Sequence, residues 1–71
     1  MRTQLLVKFG QKVRNERLRQ SLSQEQLAAK AGLHRTYIGM IERGEKNITL
    51  QNIGKIAVAL NMKLSDILKD I

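Results

Sequence analysis

The stretch Ser23-Gln24-Glu25-Gln26-Leu27-Ala28-Ala29-Lys30-Ala31-Gly32-Leu33-His34-Arg35-Thr36-Tyr37-Ile38-Gly39-Met40-Ile41-Glu42-Arg43-Gly44 reads as two short helices joined by a tight turn. Ser23 is placed to cap the first helix, and Gln26 stands where a capping box needs its return partner. Leu27, Ala28 and Ala31 then recur at helical spacing until Gly32 breaks the run. A second periodic run puts Tyr37, Ile38 and Ile41 on one face. Arg35, Thr36, Gly39, Met40 and Arg43 are left for the other, and Gly44 stops the helix.

Outward from this segment the same reasoning continues. Upstream, Leu6, Phe9, Val13 and the stem of Arg17 share one helical face while Lys8, Lys12, Glu16 and Arg19 lie around the other, which predicts a helix over about residues 4–19. Leu22 sits just before the Ser23 cap, where it can staple to Leu27 or its neighbours. Downstream of the polar loop Glu45-Lys46-Asn47, Thr49 is read as the cap of a helix from Leu50 to Leu60 with Ile53, Ile56, Ala57 and Leu60 inward, closed by Asn61. Ser65 is read as the cap of a last short helix carrying Ile67, Leu68 and Ile71. No segment alternates polar and apolar residues, and there is no proline, so the expectation is all-α: five helices and no sheet. With no internal repeat, linker or low-complexity tract, residues 1–71 are expected to be a single domain.

Composition narrows the chemistry. There is no cysteine and only one histidine, so neither a disulfide framework nor a zinc site is expected, and no cofactor is. No apolar run is long enough to span a bilayer, and the N-terminal Met-Arg-Thr-Gln-Leu-Leu-Val-Lys lacks the core and cleavage site of a signal peptide, which points to the cytoplasm and away from membranes. Thirteen Lys and Arg against six Asp and Glu give a formal charge of +7. Ten of those basic residues and four of the acids fall in residues 1–46, so the excess lies in the part that carries the two short helices. Such a basic half is the footprint expected of a polyanion binder, nucleic acid above all. Enzyme chemistry is not expected, because no nucleophile, base and orienting acid converge and no phosphate loop or metal cluster occurs.

From about Val13 to Leu68 the pattern resembles the helix-turn-helix of the phage repressor family, also called the Xre or lambda-Cro-like family. The resemblance implies a compact five-helix lambda-repressor-like DNA-binding domain with its helix-turn-helix at helices 2 and 3. Within that family, the short chain and the run Leu33-His34-Arg35-Thr36-Tyr37-Ile38 with Ile41-Glu42-Arg43 look most like the controller proteins of restriction-modification systems. Those proteins bind paired operator sites as dimers, activating their own promoter when scarce and repressing it when abundant. A phage repressor or the antitoxin of a toxin-antitoxin pair is the alternative within the family. A basic RNA-binding or scaffold protein is the alternative outside it, and the paucity of aromatics (Phe9 and Tyr37 alone) speaks against a reader of single-stranded RNA. Many family repressors carry a further sensing domain. This chain is expected to have none, so no small-molecule ligand is expected and regulation would work through concentration or partners.

A recognition helix presents its N-terminal residues to base edges in the major groove. Arg35 therefore becomes a candidate for the O6 and N7 of guanine, and Thr36 for a base or phosphate. Lys46, in the loop beyond, is within reach of a base as well, while Met40 is read as packing. The family's phosphate-binding glutamine is matched by Gln24, with Ser23 beside it at the same helix start. Arg43 and Asn47 flank the groove as further phosphate candidates, and Tyr37 offers a core ring with a hydroxyl for phosphate. His34 is either a helix cap or a phosphate contact. Gly39, inside the recognition helix, answers to close approach of DNA or to close helix packing. The family's internal ion pair is matched by Arg17 and Glu42, with Arg14 as the other possible partner. Glu25 matches an acidic position that activators of the family present to RNA polymerase.

One helix-turn-helix reads only a few base pairs, so a near-palindromic double-stranded operator and a homodimer are expected. Ile48, Val58, Met62, Leu64, Ile67 and Ile71 supply more apolar surface than one small core needs and are the candidates for the dimer interface, the bland alternative being that they complete the protomer core.

Overall fold

Five helices follow one another along the chain: α1 (Gln4–Arg19), α2 (Gln24–Ala31), α3 (Arg35–Glu42), α4 (Leu50–Ala59) and α5 (Leu64–Ile67). The computed structural model describes residues 3–71; Met1 and Arg2, the latter one of the ten basic residues counted above, lie outside the described residues. No strand occurs among the described residues, in agreement with the all-helical expectation.

Hydroxyls start three of the helices. Thr3 Oγ1 accepts from the Leu6 N–H, and Thr49 Oγ1 from the Asn52 N–H. At Ser23 the full capping box forms, its hydroxyl accepting from the Gln26 N–H at 2.9 Å while Gln26 Oε1 accepts from the Ser23 N–H at 2.8 Å. Helix ends are equally uniform. The N–H groups of Leu22, Leu33, Glu45 and Met62 reach back to the carbonyls of Arg17, Ala28, Met40 and Ala57, each bond closing one of the first four helices. The residue just before each donor is left-handed: Ser21 (φ 58°), Gly32 (φ 69°), Gly44 (φ 72°) and Asn61 (φ 56°).

Two boundaries differ from the sequence expectation. α4 stops at Ala59, with Leu60 as its C-cap, one residue short of the predicted end. α5 starts at Leu64 behind Lys63, which makes no side-chain cap, so Ser65 is inside the helix and does not cap it; Leu68 and Ile71 follow the helix and are not part of it. Burial of Ile67 positions this single turn, and a hydroxyl is not needed to begin it.

The core draws on every helix: Phe9 and Val13, Leu27, Ala28 and Ala31, Ile38 and Ile41, Ile56, Ala57 and Leu60, and Ile67 are all buried. Ile67 is fully buried, which corrects its assignment to a dimer interface: its side chain has no surface to offer a partner. Ile48, Met62 and Ile71 are half-buried and pack against the same core, so they too serve the protomer first. The α1 and α4 ends are tied together by Gln20, whose amide donates to Glu16 Oε2 at 2.9 Å and to the Leu60 carbonyl at 2.8 Å. Hydrogen bonds from Arg19, and then from Gln20, hold the Glu16 carboxyl below its ordinary pKa.

α1 lies hard against the end of α3. A Cβ on Gly10 would stand 2.3 Å from the Ile41 carbonyl oxygen and 2.8 Å from that of Glu42. Gly44 meets α1 about one turn earlier, where a Cβ would be 2.9 Å from Val7 Cγ2 and 3.0 Å from Val7 Cα. Contact at Gly10 is backbone to backbone, and no side chain fits at either glycine. Gly10→Ala should therefore invert the usual helix propensity, in which alanine gains about 1 kcal/mol over glycine. Urea denaturation is expected to show a net loss of about 1–3 kcal/mol, as for overpacked cores; a stabilised variant would show that α1 and α3 are not in this register.

Candidate nucleic-acid interface

α2 and α3 form the helix-turn-helix, with Gly32 supplying the left-handed residue that turns the chain between them. Ile38 and Ile41 fix the inner face of α3, and Tyr37 packs its ring at the core edge. The N-terminal end is left outside, where Arg35 and Thr36 are exposed. His34 caps the helix, its Nδ1 accepting from the Thr36 N–H at 3.1 Å. Of the two readings of His34, the cap is the one formed. Because Nδ1 is the acceptor, the ring proton sits on Nε2, which keeps a donor for an anion.

Arg35 is not idle in the free protein. Its Nη1 lies 3.4 Å from Glu25 Oε2, across the turn, and the two side chains are 66% and 75% exposed. A pair this exposed is worth about 0–1 kcal/mol, so a better acceptor displaces Glu25 at little cost. At the other end of α3, Arg43 Nε pairs with Glu45 Oε2 at 3.1 Å. Lys46 and Asn47 are exposed in the loop that follows, and Ser23 is exposed at the start of α2.

Glu42 ends α3, where the negative end of the helix dipole already disfavours an acid. Its side chain is only 2% exposed. Arg17 answers it in fork geometry: Nε donates to Oε2 at 2.7 Å and Nη2 to Oε1 at 3.0 Å, while Nη1 donates to the Leu22 carbonyl at 2.8 Å. Arg17, and not Arg14, is the partner. Donation of hydrogen bonds to the Glu42 carboxylate also raises the Arg17 pKa above its already high ordinary value, outweighing the opposing effect of burial. Among the described residues, no buried side-chain nitrogen or oxygen lacks a partner.

Gln24 joins this cluster. Its Nε2 donates to Glu42 Oε1 at 3.1 Å, so one of the two amide hydrogens expected to meet phosphate is committed to the internal brace. Gly39 explains how it gets there. A Cβ at Gly39 would lie 3.2 Å from Arg43 Nη1 and 3.5 Å from Gln24 Oε1, so the missing side chain leaves room for both to lie over α3. Side chains from α2 and from the α3 end therefore lie over Gly39.

Two contributors were missed in the sequence. Gly10 carried a signal, being a glycine inside a strongly periodic helix. Asn52, whose Nδ2 donates to Tyr37 Oη at 3.0 Å, carried none, because the loop that brings it there is irregular. The basic excess is not all on the side of the motif. Lys8, Lys12 and Arg19 lie on the α1 face away from Gly10, lining a concavity of about 450 Å³ with Met62, Lys69 and Ile71, so part of the basic excess is turned away from α3.

A family model described as Helix-turn-helix matches residues 13–67. The chain belongs to this helix-turn-helix family, and DNA binding is what such a fold implies. Among its relatives, Control protein C.BamHI of Bacillus amyloliquefaciens is 56% identical over 61 residues, covering 84% of this chain and 75% of the relative. Control protein C.SmaI of Serratia marcescens is 50% identical over 60 residues, covering 84% of this chain and 71% of the relative. The crystal structure of the restriction-modification controller protein C.AhdI from Aeromonas hydrophila superposes with a TM-score of 0.86 at 48% identity, covering 87% of this chain and 94% of that one. Among the described residues, no helix of this helix-turn-helix protein is long and apolar enough to cross a membrane.

The brace yields a direct test. Glu42→Leu or Arg17→Met alone strands a buried charge and should cost about 3–5 kcal/mol in urea denaturation. The double variant should recover much of that loss. Additive losses in the double variant would mean that the two side chains do not act as a pair.

Proposed function

We propose that this helix-turn-helix protein is a sequence-specific double-stranded-DNA-binding transcription regulator, the homodimeric controller of a restriction-modification system, acting in the cytoplasm on its own operon. The observation that carries the reading is the orientation of α3. Its inner face and its C-terminal acid are held from behind by Arg17 and the core, while Arg35 and Thr36 are exposed at its N-terminal end, Arg35 in a weak pair with Glu25. Similarity to the control proteins supports the restriction-modification setting over that of a phage repressor or an antitoxin.

On a near-palindromic operator, Arg35 exchanges Glu25 for the O6 and N7 of guanine, and Thr36 and Lys46 add base contacts. Ser23, His34, Arg43, Asn47, the Tyr37 hydroxyl and the remaining Gln24 amide hydrogen hold the flanking phosphates and fix register. Once Arg35 has turned to the DNA, Glu25 is left open for RNA polymerase.

A dimer needs a surface other than Ile67. Val58 is 80% exposed and Leu64 41%, and both belong to the set expected to join two protomers. Leu50, missed in the sequence, is 68% exposed. With Gly54, where a Cβ would meet nothing within 4 Å, Leu50 and Val58 form a flat apolar stripe at intervals of four along α4. Apposed stripes related by a two-fold axis would leave α3 uncovered on both protomers.

Selection of duplexes from a random pool tests DNA reading. Arg35→Ala should lose preference at one guanine position by about 1–3 kcal/mol while keeping the others; a uniform loss over all sequences would show that Arg35 reads no base. Val58→Asp should sediment as a folded monomer that binds the full operator poorly, and an intact dimer would exclude the α4 stripe.

A further inference from the structure

Tyr37, in the first turn of α3, meets Asn52, in the first turn of α4. Both are half-buried, and the Tyr37 ring is fixed by its packing at the core edge. Asn52 is itself held in place, since its backbone N–H is taken by Thr49 Oγ1 at 3.1 Å. Its side-chain Nδ2 then donates to Tyr37 Oη at 3.0 Å. A phenolic oxygen has one proton to give and lone pairs with which to accept. Asn52 occupies a lone pair from the protein side, so the proton of the hydroxyl is directed elsewhere. Accepting one hydrogen bond also polarises the O–H and makes it a better donor.

We propose that Asn52 is a positioning residue for DNA binding: by donating to Tyr37 Oη, it sets that hydroxyl as an outward donor to a phosphate oxygen of the duplex. The proposal rests on the DNA-binding reading above. It assigns to α4 a part in reading the backbone through the Tyr37 hydroxyl. It also distinguishes Tyr37 from the cationic candidates, because a neutral hydroxyl contributes a directed bond and releases no counterion.

The test uses a duplex that the wild-type protein selects from a random pool, and a set of the same duplex with single phosphates replaced by uncharged methylphosphonate. On the intact duplex, Tyr37→Phe and Asn52→Ala should each weaken binding about three- to tenfold, the range of one hydrogen bond. The double variant should be no weaker than the worse single one. At one methylphosphonate position in each half-site, the wild-type protein should lose affinity while neither variant loses more. Thermal unfolding checks that both variants fold. If Asn52→Ala weakens binding equally at every methylphosphonate position, Asn52 only tethers α4 to α3, and the proposal is overturned. It is also overturned if Asn52→Ala binds as the wild type does while Tyr37→Phe does not. A wild-type protein that retains no duplex from the pool removes the DNA-binding reading itself, and the proposal with it.

Discussion

The Glu42 carboxylate sits at the negative end of α3 with 2% of its side chain exposed, and three donors from two other segments meet it. Alone it would be among the most costly groups in the molecule, disfavoured by desolvation and by the helix dipole together. The Arg17 fork removes that penalty and in doing so fixes the angle and the depth at which α3 meets α1. Arg17 Nη1 extends the same constraint to the Leu22 carbonyl, so the connection from α1 into α2 is set by the guanidinium that sets α3. Gln24 adds the first turn of α2. One buried charge pair thus references both helices of the DNA-reading motif to the long helix behind them.

Such a reference is needed because α3 is only eight residues long. A helix of that length is marginal in water on its own, since too few hydrogen bonds follow the costly first turn. Ile38 and Ile41 supply burial, yet apolar contacts alone tolerate sliding and rotation. Gly10 and Gly44 remove that freedom by bringing α1 into contact with the backbone at the α3 end, and the fork supplies direction. The C-terminal half of α3 is thereby rigidly seated, while its first turn is held by the His34 cap, the Asn52–Tyr37 hydrogen bond and the exposed Arg35–Glu25 pair. Rigidity at one end with exposed polar side chains at the other is the arrangement a reader of base edges requires.

Residue patterning made the helices legible because each has a periodic apolar face and a polar cap: Thr49 and the Ser23–Gln26 box stand in the sequence as they stand in the fold. It placed the last helix but not its start or its extent, because a single turn offers no period and burial of Ile67 positions it. Ile67 and Val58 look equivalent in sequence, two apolar residues in the same weakly charged quarter, yet one is fully buried and the other 80% exposed. Only the crossing of α4 and α5 over the core separates them. The Arg17–Glu42 pair was legible through family resemblance, whereas the Asn52–Tyr37 bond depends on the path of an irregular loop and left no trace in the spacing of residues.

Charge shows the same gap between sequence and space, and its consequence is functional. Residues 1–46 hold most of the basic excess, which suggests a single cationic face. In the fold, Arg17 is neutralised inside, Arg35 and Arg43 are paired with Glu25 and Glu45, and Lys8, Lys12 and Arg19 lie on the far side of α1. The motif therefore does not rely on a dense cluster of free cations. Its steering charge is spread around a small body whose extents are 26 × 24 × 22 Å, only a few screening lengths across at physiological salt. Attraction to a duplex from such a surface is weakly oriented, and orientation must come from short-range contacts. The exposed Arg35–Glu25 and Arg43–Glu45 pairs bear on that requirement. Each arginine already has an acceptor that solvent keeps weak, so on the proposed reading it exchanges that acceptor for DNA only where geometry offers a better one, the two acceptors of guanine for Arg35 and a phosphate oxygen for Arg43.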